Sequence, residues 1–178
     1  DLGAFAGAEA EFRACLETAR GADDEVGAGD GWIGLAGIAL HQGDIDDATR
    51  CAAKARDAYR GARHRWGLAV TWEMFGEIAR HRHSWDEAVH CYRTSASIWQ
   101  ALGTESAALS SEVNIALVQV ECGNSQQVLS DLERCAARAV TFGNRSLWVT
   151  VRLAQVAAAA QAGDEAAWDR HLTEGSPA

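Results

Sequence analysis

Apolar residues recur along this chain at steps of three and four, the interval that places side chains on one face of an α-helix. Leu109, Val113, Ala116, Leu117 and Val120 form one such stripe, and Leu147, Val151, Leu153 and Val156 another. No run of residues alternates apolar and polar as a half-buried strand would. Polar junctions interrupt the stripes, and the junctions themselves recur. Gly3-Ala4-Phe5-Ala6-Gly7-Ala8, Gly43-Asp44-Ile45-Asp46-Asp47-Ala48, His83-Ser84-Trp85-Asp86-Glu87-Ala88, Gly123-Asn124-Ser125-Gln126-Gln127-Val128 and Gly163-Asp164-Glu165-Ala166-Ala167-Trp168 fall 40 residues apart without insertion or deletion. A period of this length marks stacked supersecondary units, each too small to bury its own apolar face.

The chemistry of the junctions says where helices stop and start. Asp44, Ser84, Asn124 and Asp164 share a register position and carry short side-chain oxygens suited to an N-cap, and only Ala4 does not. Glu87 and Gln127, three residues beyond Ser84 and Asn124, complete the capping-box pattern. Gly43, Gly123 and Gly163, just before the cap, suit the left-handed residue that closes the preceding helix. A second junction lies about twenty residues on, at His64, Thr104 and Asn144, with Gly103 and Gly143 ahead of the last two. The spacing predicts helices near 5–20, 30–42, 44–61, 65–81, 84–101, 105–122, 124–141, 145–162 and 164–174, with Gly27, Gly29 and Gly31 weakening the start of the second. The expected fold is all-α, a right-handed α-solenoid of antiparallel helical hairpins in a single array over 1–178. Its units are 1–22 (partial), 23–62, 63–102, 103–142 and 143–178.

The register columns predict the packing. Ala8, Ala48 and Ala88 mark a close helix contact, and Phe12, Ala52, Tyr92, Leu132 and Leu172 an apolar column four residues on. Trp32 and Trp72 match each other, followed by Leu35, Phe75 and Ile115. The tryptophans Trp32, Trp72, Trp85, Trp99 and Trp168 stand in columns otherwise apolar or small, which reads as filler between repeats and not as a ligand cage. Cys15 and Cys135 share a column with Ala55 and Ser95, and Cys51 one with Cys91. Positions that accept Cys, Ala and Ser alike ask for small volume, so free buried thiols in a reducing cytoplasm are expected.

Charge and motifs exclude several functions. A net charge of −9 leaves no general basic face for nucleic acid, and the run Arg50, Lys54, Arg56, Arg60, Arg63 and Arg65 reads as a solvated helix face plus loop. No apolar run is long enough for a membrane span, and Pro177 is the one proline. His81, His83, His90 and Cys91 invite a metal reading, but the adjacent His90 and Cys91 diverge on a helix, so no metal and no cofactor is expected. No phosphate loop, nucleophile elbow or His-Glu-x-x-His is present, and Asp44, Asp46 and Asp47 serve a helix first turn. The chain is expected to be no enzyme. Because it opens at Asp1 in mid-repeat, it reads as a piece of a longer protein.

The matching positions Trp72, Phe75, Gly76, Ala79, Ala88, Tyr92 and Ser95 in one unit, and Trp32, Leu35, Ala36, Ala39, Ala48, Ala52 and Ala55 in the unit before, resemble the tetratricopeptide repeat in its 40-residue form. Arrays of this kind are found in Pins-type adaptors and beside bacterial signalling kinases and ATPases. The arginine-over-lysine bias makes the bacterial regulators the nearer analogue. The chain departs from the pattern at Glu112, Gln119, Arg152, Gln155 and Trp168, so the last hairpin is expected to be a less regular one, either a terminal cap or a unit that awaits a following repeat.

The resemblance implies a concave groove lined by the first helix of each unit. It carries Ile33, Gly37 and Leu40; Val70, Glu73, Glu77, Arg80 and His81; Ser110, Val113, Leu117, Val120 and Glu121; and Thr150, Leu153, Ala157 and Gln161. Such a groove is mostly apolar, with an acidic patch at Glu73 and Glu77, and suits a peptide or amphipathic helix anchored on Val113, Leu117 and Leu153. The partner is a separate protein or another segment of the parent chain. In the second case the array is an intramolecular regulatory arm of a larger kinase or ATPase. A self-associating spacer, a homodimer, is a third reading.

Overall fold

The computed structural model describes the backbone of residues 2–173 and the side chains of residues 5–169, so the side chains of Ala4 and Leu172, and Pro177, lie outside the described residues. Nine helices and no strand occur among the described residues: α1 (Leu2–Ala22), α2 (Glu25–His41), α3 (Ile45–Gly61), α4 (Arg65–His81), α5 (Trp85–Ala101), α6 (Glu105–Glu121), α7 (Ser125–Thr141), α8 (Arg145–Ala162) and α9 (Glu165–Thr173). The architecture is the expected all-α array of helical hairpins: α1 to α5 pack each on its chain neighbours, and so do α6 to α9.

The junctions keep a beat of half a repeat. Residues 23, 43, 63, 83, 103, 123, 143 and 163 all have positive φ, and Asp23, Arg63 and His83 hold this left-handed conformation without being glycine. At seven junctions the next backbone N–H donates to the carbonyl five residues earlier, as Asp44 does to Ala39 at 2.9 Å and Asn144 to Ala139 at 2.9 Å. This is the Schellman closure, and it returns the chain along the helix it has just left. Asp44, Asn144 and Asp164 then cap the next helix, accepting from Asp47, Leu147 and Ala167 at 2.9, 3.0 and 2.9 Å. His64 does so through Nδ1, from Gly67 at 3.3 Å.

Three expectations are corrected here. Ser84, Asn124 and Thr104 make no side-chain cap bond, so the capping boxes ending in Glu87 and Gln127 do not form. At Ser84 and Asn124 the Schellman closure already orients the turn. Helix α2 starts at Glu25 and not near 30, because Asp24 accepts from the Gly27 N–H at 3.0 Å. A good cap there outweighs the glycines behind it.

The chain divides into two compact units, Asp1–Leu102 and Gly103–Ala178, on the predicted boundary between repeats 63–102 and 103–142. In the first, α2 and α4 touch each other as well as their hairpin partners. Leu35, Ala36, Ala39, Leu40, Ala48, Cys51, Ala52 and Ile78 form a core of mostly small residues, with Phe12, Trp32 and Phe75 packed around it. Tyr59 of α3 is fully buried between α2 and α4, and a β-carbon on Gly29 or on Gly67 would come within 2.4 Å of its ring. Only glycine on both sides leaves room for it. The Tyr59 hydroxyl donates to Asp30 at 2.7 Å, which offsets the cost of burying it.

The second unit relies on aliphatic packing. Leu109, Val113, Val128, Leu132 and Val151 are fully buried, joined by Ala116, Val120, Ala154 and Ala158. Each such leucine or valine contributes about 1.5–3 kcal/mol of burial. Three of the polar departures from the repeat pattern are engaged: Glu112 accepts from Arg138, and Gln155, 1% exposed, accepts from Arg152 at 2.9 Å. Trp168 stands 37% exposed while its neighbour Ala167 is buried, so the last hairpin turns the small residue inward.

Candidate interaction surface

The predicted groove residues separate into three groups once their surroundings are known. Leu40, Val113 and Val120 are core residues, 9%, 0% and 5% exposed. They hold α2 and α6 against their neighbours, and a partner does not reach them. Glu73, Glu77 and Arg80 are half-buried and engaged within the first unit. Glu77 accepts from the Tyr92 hydroxyl at 2.6 Å and from Arg80 at 3.2 Å. Glu73 accepts from the Trp99 indole N–H at 3.0 Å and from Ser95 at 3.3 Å. The carboxylates expected to form an open acidic patch instead fasten α4 to α5. Burial, reinforced by Glu77, pushes the Tyr92 hydroxyl well above the usual tyrosine range, so it stays a donor. Tyr59 behaves alike through burial and its bond to Asp30.

The third group is accessible. Ile33 and Val70 are half-buried, Leu117 is half-buried against the core of the second unit, and Gln161 is exposed with its Oε1 accepting from Ser125. Leu153 is 66% exposed, and Val149, one turn earlier, 43%. Ala157 and Ala160 continue the line as exposed residues and Val156 borders it. Spaced at three and four residues, these five side chains form one apolar stripe along α8. The helix contains no acidic residue. Beside its C-terminal end is a cavity of about 320 Å³ lined by Ala160, Gly163, Asp164, Glu165 and Trp168.

A cleft that the sequence reading did not anticipate opens between α1 and α3. Its volume is about 400 Å³, its floor is Trp32, Leu35 and Ile38 of α2, and its rims carry Arg13 and Arg50. Both arginines are matched by acids on their own helices, Glu9 at 2.7 Å and Asp47 at 2.5 Å. Lys54 Nζ lies 3.9 Å from the centre of the Trp32 ring. Of the rest of the basic run, Arg56 pairs with Asp57 at 3.1 Å, and Arg60, Arg63 and Arg65 are exposed. This matches a solvated face.

Burial pushes the Cys51, Cys91 and Cys135 thiols up to about 11, so at neutral pH they are protonated and poor nucleophiles or ligands. His90 meets the edge of Trp72 at 6.1 Å and His83 that of Trp85 at 5.0 Å. No three His, Cys, Asp or Glu side chains converge on a metal position among the described residues. No described helix is long and apolar enough to cross a membrane. Fold and surface together define the class: an α-helical repeat array with an open apolar helix face. No family model matches the chain, and no curated protein matches it.

Proposed function

We propose that the chain is a non-catalytic protein-interaction module, similar in kind to tetratricopeptide arrays, which takes a peptide or amphipathic helix on the accessible apolar positions of the second unit, Leu117 of α6 and the stripe of α8. The observation that supports this reading is Leu153, a leucine two-thirds open to solvent in the middle of a continuous apolar stripe. Scattered surface leucines are ordinary; a stripe at helical spacing is a surface made for another helix. Protonated, buried thiols suit a reducing cytoplasm, where the module would work.

The test is a titration with fluorescent helical peptides carrying leucines at i, i+4, i+7 and i+11, against scrambled controls. Leu153→Asp and Leu117→Asp are each expected to weaken binding at least about tenfold, with helicity by circular dichroism unchanged. Equal affinity for patterned and scrambled peptides, or no effect of either substitution, overturns the reading.

A further inference from the structure

We infer that the cleft between α1 and α3 is a binding site for a small aryl carboxylate, whose rings lie along Trp32, Leu35 and Ile38 and whose negative charge is met by Arg20 and Lys54. The site belongs to the first unit and stands whether or not the α8 stripe takes a helix.

The cleft is bounded by helices of that unit on both sides and below. α1 and α3 both pack on α2, which supplies the floor. A helix ahead of α1 would, by the register, stand to α2 as α2 stands to α4, in the layer of the floor, so the mouth does not depend on it.

The next repeat shows what such a floor is suited to. Forty residues on, Trp72 and Phe75 hold the positions of Trp32 and Leu35, their rings edge to face at 5.9 Å. There His90 meets Trp72 edge-on at 6.1 Å, and the Arg56 guanidinium lies 5.8 Å from the centre of the Phe75 ring. In the cleft the counterparts of Phe75, His90 and Arg56 are Leu35, Arg50 and Leu16. Leu35 is one ring smaller, and Arg50 pairs with Asp47. The aromatic contacts that the later helices make among themselves are absent here. A space of about 400 Å³, within the range of small-molecule sites, takes their place. A flat aromatic ring beside Trp32 restores them.

The lining charges select the sign. Arg13 and Arg50 are held by Glu9 and Asp47 on their own helices, so these four cancel in pairs. What remains is Glu17 against Arg20 and Lys54, a net positive lining in a chain that carries −9. Lys54 Nζ is kept beside the floor by the Trp32 ring at 3.9 Å. Neither Lys54 nor Arg20 has an acid within ion-pair distance among the described residues. A carboxylate accepts from both donors, and its single charge matches the lining where the double charge of a phosphate exceeds it.

NMR titration of nitrogen-labelled protein with naphthoate, followed at the Trp32 indole N–H, tests the inference, with Trp32→Phe assigning the resonance. A dissociation constant on the order of 0.1–1 mM is expected for a ligand of this size. Naphthamide has the rings without the charge, and cyclohexanecarboxylate the charge without an aromatic ring; each should bind at least about fivefold more weakly. The double variant Arg20→Gln/Lys54→Gln, at two exposed positions, should keep its fold and lose the preference for acid over amide. Leu35→Phe, which copies the next repeat, should weaken both ring compounds about tenfold by filling the space. A Trp32 resonance unmoved by naphthoate at about 5 mM overturns the site. Equal affinity for naphthoate and naphthamide, or a preference that survives the double variant, overturns the role of Arg20 and Lys54. Equal affinity for naphthoate and cyclohexanecarboxylate overturns the aromatic assignment.

Discussion

In α6 the stripe Leu109, Val113, Ala116 and Val120 is no more than 5% exposed, whereas its counterparts Val149 and Leu153 on α8 stand 43% and 66% open. The two helices share a register, a length within one residue and a comparable apolar pattern. What differs is the packing around them: α7 and α8 both pack on α6, and α7 and α9 on α8. An apolar period therefore identifies a face that packs, and leaves open what packs on it. The same letters mean core in one helix and exposed surface in the next.

Introducing a carboxylate into each helix at the shared position gives the sharpest separation. Val113→Asp buries an unpaired charge and is expected to cost about 4 kcal/mol or more, removing the cooperative melting of the second unit. Leu153→Asp, in dilute protein, should leave stability within about 0.5 kcal/mol. Thermal melts followed by circular dichroism compare the two directly. Similar losses would mean that the two positions are equally buried and that the comparison fails.

Truncation extends the test without charge. Leu109→Ala should cost about 2–5 kcal/mol, since it opens a cavity in a fully packed cluster. Val149→Ala, its register partner, should again fall within about 0.5 kcal/mol. Urea denaturation midpoints measure both.

Overpacking probes the small column on which the hairpins close. Ala48 and Ala88 are both 0% exposed, and in the second unit the same position holds Val128, also at 0%. The column is thus tight in the first unit and wider in the second. Ala88→Leu is expected to cost about 1–3 kcal/mol, and Val128→Leu less. Equal tolerance at the two sites would show that the first unit does not need its alanines.

Much of the fold was legible because helix ends are decided locally. A left-handed residue followed by Asp or Asn acts on the next few backbone groups, and the repeat confirms each reading from the others. The onset of α2 is hard to read although Asp24 stands one repeat before His64, because Gly27, Gly29 and Gly31 look locally like helix breakers. Gly29 is instead a socket for Tyr59, a contact 30 residues away that no local rule carries. The site was less legible for the same reason. Glu73 and Glu77 read as an open patch until Trp99 and Tyr92 arrive from α5, and Val113 and Leu153 cannot be told apart by register. Which face is apolar is written in the period; which apolar face is covered depends on the order of stacking.

The smallest expected effect concerns the turns, and it contrasts the two units once more. Among the left-handed junction residues, those at 103, 123, 143 and 163 are all glycine, while in the first unit only Gly43 is and Asp23, Arg63 and His83 are not. A side chain in that conformation costs about 1–2 kcal/mol, and glycine gives back about 0.5–1 kcal/mol through the extra freedom of its unfolded chain. Arg63→Gly should therefore raise stability by about 0.5–1 kcal/mol, and Gly143→Ala should lower it by a similar amount. Arg63 is a cleaner site than His83, whose ring packs on Trp85 at 5.0 Å and would be lost with the substitution. Opposite shifts in the urea midpoint for these two exchanges would establish that the turn conformation is common to both units. A loss on Arg63→Gly would show that the Arg63 side chain contributes more than its backbone costs.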